Sequence, residues 1–214
     1  MQEQKTGFFA NLTAGKIVKL VGAFIALIFL IVITCKLGVS VPSGHAGILG
    51  SFGAVDKTVL EEGFHFKAPW KDVTTISVRL TPHKTSNHAA SKDLQKVTTE
   101  VTVTYSRVSS STPGLFQKIG NIEQIDAAII NPGVQESVKA VTALYTAEEL
   151  ITKREHAKTK VEDQIRHYVD VTLKGKNLGG ALSISSVAIT DFKFSDEFNN
   201  SIESKVNRSP GEES

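Results

Sequence analysis

The sequence predicts an α+β domain carried behind a single membrane-spanning helix. Three observations lead there: a charge-free apolar run near the N-terminus, a strictly alternating stretch in the middle, and helix-periodic segments concentrated after it. Strands crowd the first half beyond the apolar run and helices the second, the grouping of an α+β fold rather than of repeated βαβ units. With 214 residues, 41% hydrophobic and 21% charged, there is room for one anchor and one domain of roughly 150 residues. The net charge of +2 comes without a basic stripe, so nucleic acid is not expected as a partner. Cys35 is the only cysteine, which excludes an intrachain disulfide.

The apolar run LVGAFIALIFLIVITC, Leu20 to Cys35, is framed by Lys19 and Lys36. Alone it makes a helix of roughly 24 Å, short of the ~30 Å hydrocarbon core. Ile17, Val18, Leu37 and Val39 extend it, and the two lysines can lift their ammonium groups to the headgroups, so a transmembrane helix is expected over 17–39. Its lipid-facing anchor comprises Leu20, Val21, Phe24, Ile25, Leu27, Ile28, Phe29, Leu30, Ile31, Val32 and Ile33. A cleaved signal peptide and a lipoprotein are the alternatives. Thr34 to Leu37 supply no small-x-small exit, and Val32, Ile33 and Thr34 make a poor leader for cleavage before Cys35. Lys5, Lys16 and Lys19 precede the span, which places the short polar tail, 1–16, on the cytoplasmic or matrix side and the domain across the membrane.

Beyond the span, VPSGHAGILGSFGAV suits a twisted hairpin with bends or bulges at Gly44, Gly47, Gly50 and Gly53; without a following Gly-Lys-Ser/Thr it is no phosphate loop. LEEGFHFKAPW reads as a turn at Gly63 and a strand with Phe64 and Phe66 on one face, His65 on the other, stopped by Pro69. The polar stretch TPHKTSNHAASKD is expected to be a loop, and His83 and His88 within it lack the carboxylate or thiolate company of a metal site. VTTEVTVTYSRV is the clearest strand, with Val97, Thr99, Val101, Val103 and Tyr105 facing a core and Thr98, Glu100, Thr102, Thr104 and Ser106 facing water. The serines after it are read as a loop ending at Pro113–Gly114.

Val134, Val138, Val141 and Tyr145 form the apolar stripe of a helix beginning after Pro132–Gly133. Thr146 and Glu149 spell a capping box for a second, longer helix whose narrow seam is Leu150, Ala157, Val161, Ile165 and Tyr168. Glu149–Lys153 and Glu162–Arg166 are i,i+4 pairs on its charged face, which reads as a solvated surface or a contact with another copy. ALSISSVAITDFKF returns to strand with its phase shifted across Ser185–Ser186, as a bulge would do, and must join the earlier sheet. Ser195 is a fitting N-cap for a last helix over 195–207, followed by a disordered tail over 208–214.

Taken in order, VPSGHAGILGSFGAV…LEEGFHFKAPW, SKDLQKVTTEVTVTYSRV, TALYTAEELITKREHAKTKVEDQI and ISSVAITDFKFSDEFNNSIESK resemble a prohibitin-type member of the stomatin/prohibitin/flotillin (SPFH, Band 7) superfamily, with the domain proper over 40–194. The resemblance implies a curved, mostly antiparallel sheet with packed helices, and a membrane-anchored scaffold. It further implies side-by-side assembly with copies of itself or a paralogous SPFH protein, no catalytic residues, no cofactor, and modulation of a membrane-bound AAA-type metalloprotease. On that basis Glu149, Lys153, Arg154, Glu155, Lys158, Glu162 and Arg166 become the candidate intersubunit surface. One departure stands out: the family's helix starting near Ser195 normally continues as a coiled coil, and no heptads follow Phe198 here, as in a natural short form or a cut sequence. A non-ring-forming, membrane-tethered module for a peptide, protein or lipid is therefore the alternative function. An enzyme would have only Ser109–Ser111, His156 and His167 to draw on, and two histidines eleven residues apart on a helix stand roughly 16 Å from one another. The bacterial inner membrane is favoured because no long Arg-rich presequence precedes the anchor; the mitochondrial inner membrane also fits.

Overall fold

A computed structural model of the chain describes residues 14–195 together with Phe198 and Asn200. Of the expected N-terminal tail, 1–13 lie outside the described residues, as do most of the expected C-terminal helix and all of the tail over 208–214.

Helix α1, Ala14–Leu37, contains the apolar run and is uncovered by the rest of the chain along Gly15–Thr34. It ends two residues before the expected boundary: Gly38 already opens strand β1, Gly38–Val41, so Gly38 and Val39 belong to a strand and not to the helix. The reason is local. Gly38 lies under the Phe64 ring, where a Cβ would stand 2.9 Å from Phe64 Cζ, and β1 pairs antiparallel with β4, Gly63–Phe66.

Between them lies the expected hairpin, β2 (His45–Ser51) and β3 (Ala54–Leu60), with its register shift between Ile48 and Gly50. Strand β5, Lys71–Ser77, pairs along the other side of β2 and completes a three-stranded sheet. Gly44 takes a left-handed φ of 72° in the turn before β2, and a Cβ there would collide with the Arg79 side chain.

The second sheet consists of β6 (Thr81–Ala90), β7 (Lys96–Arg107) and β8 (Leu182–Ile189), with β9 (Lys193–Phe194) also on β7. Strand β6 corrects the expected loop at 81–90: it pairs with β7 along its whole length, Thr81 opposite Tyr105 and Ala90 opposite Lys96. Its alternation is polar on both faces, which hides it from any hydrophobic-periodicity reading. The phase shift in β8 is as expected, since Thr104 faces Ser186 while Tyr105 faces Ile184, leaving Ser185 as the extra residue.

Helices cover one face of this sheet. The segment expected to be a loop up to Pro113–Gly114 is instead a short 3₁₀ turn, Ser109–Ser111, leading into α2, Thr112–Lys118. Pro113 stands in the first turn of α2, where its missing N–H is no loss, so it starts the helix rather than ending a loop. Helix α3, Ile122–Ile125, passes through a π-turn, Asp126–Ile130, into α4, Asn131–Thr142, so the helix expected after Pro132–Gly133 begins well before it.

The capping box at Thr146 and Glu149 opens α5, Ala147–Thr152. A break at Lys153 separates it from α6, Arg154–Gly175. Val97, Val101, Val103 and Tyr105 of β7 meet Ile129, Val134, Val138, Leu150, Val161 and Ile165 in one core. The seam of α6 runs Ala157, Val161, Ile165, Val169, Leu173. Val169, not Tyr168, takes the fourth place; Tyr168 is half-buried against α4 at Gly133, where a Cβ would stand 2.8 Å from its ring.

Candidate membrane, polar-cluster and subunit-contact sites

The anchor residues from Leu20 to Val32 are all exposed on α1, and Ile33 is half-exposed. A helix that is apolar all round and touches no core has no aqueous environment suited to it, and its twenty-residue apolar window, with a mean hydropathy of 2.8, is long enough to cross a bilayer.

The seven charged residues of the candidate intersubunit surface divide by use. Lys158 is only 21% exposed at its side chain and its Nζ lies 2.9 Å from Asp191 Oδ1, in the segment after β8. The Lys158 ammonium, through that hydrogen bond and its charge, with Arg154 adding to it, holds the Asp191 carboxyl below the usual carboxylate range. Arg166 grips Glu162 Oε1 through Nε and Nη2 at 3.1 and 2.8 Å and donates through Nη1 to the Ile184 carbonyl at 2.7 Å. Lys158 and Arg166 therefore fasten α6 to the β8 side of their own domain. Glu149 and Lys153 pair at 3.0 Å across the α5–α6 break, and Arg154 and Glu155 stand out into solvent. Asp191 lies 33 residues from Lys158, and nothing in the local sequence marks the pairing.

A polar cluster between β6 and the π-turn was not legible in the sequence. His83 Nδ1 lies 3.0 Å from Asp126 Oδ2, and its Nε2 lies 2.7 Å from Asn131 Oδ1. Asp126 and Asn131 are also the two ends of the π-turn, the Asn131 N–H donating to the Asp126 carbonyl. In a regular α-helix residues five apart point ~140° away from each other; the widened turn brings both side chains to one imidazole. Tyr105, 1% exposed, donates its hydroxyl to Asp126 Oδ1 at 2.6 Å. Burial, then the Asp126 carboxylate, push the Tyr105 hydroxyl well above the usual phenol range, so it remains a donor. Arg107 is buried beside them and its Nε has no acceptor among the described residues; burial pushes the guanidinium pKa below its ordinary value, against the opposing pull of Tyr105, Glu123 and Asp126.

The histidines lie apart from one another. His83 and His88 sit five apart on a strand and so face opposite sides of β6, with His88 Nδ1 on Thr98 Oγ1 at 3.0 Å. His156 packs edge-on against Tyr145, and His167 lines the groove between α4 and α6. Among the described residues no group of three or more His, Cys, Asp or Glu is placed to hold a metal ion.

Comparison with known proteins agrees with this architecture. The SPFH domain / Band 7 family matches residues 39–209, from β1 through the last strand and beyond. The chain is 33% identical over 169 residues to prohibitin-2 of Xenopus tropicalis, covering 78% of this chain and 53% of that protein. It is likewise 33% identical over 168 residues to prohibitin 1 of Bos taurus, covering 78% of this chain and 58% of the relative. The chain thus spans little more than half the length of the curated relatives it matches. With the family match covering most of its length and the sheet and helices in the order the motifs require, the chain belongs to the SPFH/Band 7 family.

Proposed function

We propose that the chain is a membrane-anchored, prohibitin-like scaffold that assembles with copies of itself or with a paralogous SPFH protein to organise membrane proteins or lipids. The observation that carries this reading is an uncovered α1, charge-free from Leu20 to Cys35, running without a linker into an SPFH domain. The lysines before the span favour its N-terminus on the cytoplasmic or matrix side, with the domain on the other. A bacterial inner membrane suits the anchor best, ahead of a mitochondrial inner membrane. The scaffold is non-catalytic, and its family resemblance extends the reading to modulation of a membrane-bound AAA-type metalloprotease.

Lateral contact would use the outward charges at the α5–α6 break, Glu149, Lys153, Arg154 and Glu155, with Glu162, Lys158 and Arg166 behind them holding α6 in place. That division of labour follows from the intramolecular partners of Lys158 and Arg166. A second reading, a tethered binding module that forms no ring, is favoured by the groove of about 380 Å³ between α4 and α6, lined by Ser137, Ala140, Tyr168 and Val171.

Alkaline carbonate extraction and protease protection of the full chain test the anchor and its orientation together. Retention in the membrane pellet, with the domain protected on sealed cytoplasm-out vesicles, is the expected result. Release into the supernatant, or digestion of the domain in sealed vesicles, would overturn the anchor or its orientation respectively.

A further inference from the structure

We propose that the domain makes a second, peripheral contact with the bilayer through Phe52, Phe64, Phe66 and Trp70, four exposed aromatic side chains at the end where α1 enters it. The inference rests on the reading of α1 as a membrane span. Strand registers bring these residues to one level. Phe66 stands opposite Gly38, the first residue beyond α1, and the Lys67 N–H donates to the Leu37 carbonyl at 2.8 Å. Trp70 lies in the turn that follows, closed by the Lys71 N–H on the Ala68 carbonyl at 3.0 Å. Lys71 in turn stands opposite Ser51, so the tip of the β2–β3 hairpin, Phe52–Gly53, lies at that same end. Two segments, the hairpin tip at Phe52 and the stretch from Phe64 to Trp70, thus arrive beside the helix terminus, each carrying aromatics.

Their exposure is out of proportion to any use within the fold: 90% for Phe52, 80% for Phe66, 64% for Phe64 and 62% for Trp70. Phe64 and Phe66 meet edge to face with centroids 5.1 Å apart, a continuous apolar surface rather than scattered side chains. Phe52 adds backbone strain. Ser51 pairs with Ala54 across a two-residue turn in which Phe52 has φ 49° and Gly53 φ 85°. Both signs are those of a type I′ hairpin, whose first central position suits Asn or Gly. A phenylalanine held left-handed and projected into water costs the domain twice over, which points to a use outside it.

The occupant is the bilayer and not a protein because the patch continues the uncovered surface of α1 without interruption. The side-chain types also match: aromatic rings collect at the membrane–water boundary, and Lys36, exposed at the end of α1, places an ammonium at headgroup level. Glu61 and Glu62 lie at the far end of the same lobe, Glu62 accepting from Ser43 Oγ and the Gly44 N–H at 2.8 and 3.0 Å. These two carboxylates are thus turned away from the lipid; at the patch's own end Asp56 is paired with Lys71 at 2.9 Å and Asp72 stands opposite Gly50.

Trp70 is the only tryptophan of the chain and is its own probe. The full chain is reconstituted into phosphatidylcholine vesicles brominated either near the headgroups or near the chain ends. The expected result is blue-shifted emission, quenched several-fold more by the shallow bromines, with Phe66→Ser and Phe52→Asn each weakening the quenching while carbonate-resistant retention stays unchanged. Unquenched, water-like emission from a carbonate-resistant protein would overturn the second contact and leave the anchor standing. Blue-shifted emission that neither bromine quenches would assign the patch to protein and overturn the bilayer as its occupant. Release of the chain by carbonate would overturn the span and the inference together. Asn suits the Phe52 turn, so that variant keeps its fold even where a serine in β4 is not tolerated.

Discussion

Tyr105→Phe isolates one bond in the polar cluster. It removes the hydroxyl that donates to Asp126 Oδ1 at 2.6 Å and leaves the ring, 1% exposed between β7 and the helices, in place. Because the acceptor is a carboxylate, the bond belongs to the charge-assisted class, and its loss is worth about 1.5–3 kcal/mol. Asp126 keeps its contact with His83 Nδ1 at 3.0 Å and is partly open to water, with 17% of its side chain exposed, so the lower half of that range is expected. Guanidinium unfolding of the full chain in detergent, followed by helical circular dichroism, reads it as a shift of midpoint at constant slope. Pairing the change with His83→Gln in a double-mutant cycle is expected to give a coupling of about 0.5–2 kcal/mol, because both side chains act on one carboxylate. A Tyr105→Phe change below about 0.5 kcal/mol, with strict additivity, would refute the claim that this cluster ties the π-turn to the sheet.

The remaining predictions concern the same domain. Ile165→Ala, at a fully buried point of the α6 seam, is expected to cost about 2–5 kcal/mol in the same unfolding assay. Thr146→Ala removes the side chain that accepts from the Glu149 N–H at 3.2 Å and is expected to cost about 0.5–2 kcal/mol, with amide exchange in α5 accelerating first. Asp93, which accepts from Ser91 Oγ at 2.6 Å and the Ala147 N–H at 2.9 Å, is held below its ordinary value of 3.8, chiefly by Ser91. Its folded value is the lower one, so its contribution is present above 3.8 and is lost as the pH falls through the folded value. Asp93→Asn is expected to flatten that acid limb in unfolding curves taken across the range, and an unchanged limb would contradict it.

What could be read in advance was whatever the sequence repeats at a structural period. Strand β7 alternates Val97, Thr99, Val101, Val103 and Tyr105 inward, and all five are buried. The Thr146–Glu149 box needs only four adjacent residues, and the bulge at Ser185 is visible because the hydrophobic phase itself slips there. Strand β6 fails the same reading because three of its four inward residues, His83, Thr85 and Asn87, are polar; His83 meets Asp126 and Asn131 through its ring nitrogens, and Ala89 alone of the four packs against the apolar core. Pro113 suggests a stop by its sequence context but starts a helix, since the same fixed φ serves both ends of a loop.

The sites were less legible than the fold. The apolar helix could be read, because a run long enough to cross a membrane is a local composition. The polar cluster could not: His83 and Asn131 lie 48 residues apart, and a π-turn has no sequence signature of its own. Helical spacing puts Lys158 and Arg166 on an outward face with their neighbours, and only the placement of Asp191 and the Ile184 carbonyl reveals their inward work. Phe52 is the converse case. Its type gave no signal, and it becomes informative once the hairpin shows a left-handed, exposed phenylalanine at its tip.

The central claim is assembly at a membrane, and the mass of the full chain in mild detergent, measured by mass photometry beside a version lacking residues 1–38, tests it most directly. The scaffold account predicts a species of many subunits for the full chain, reduced in size by charge reversal at Lys153 and Arg154. Monomers or dimers in both samples would contradict it and leave the tethered binding module as the account to pursue.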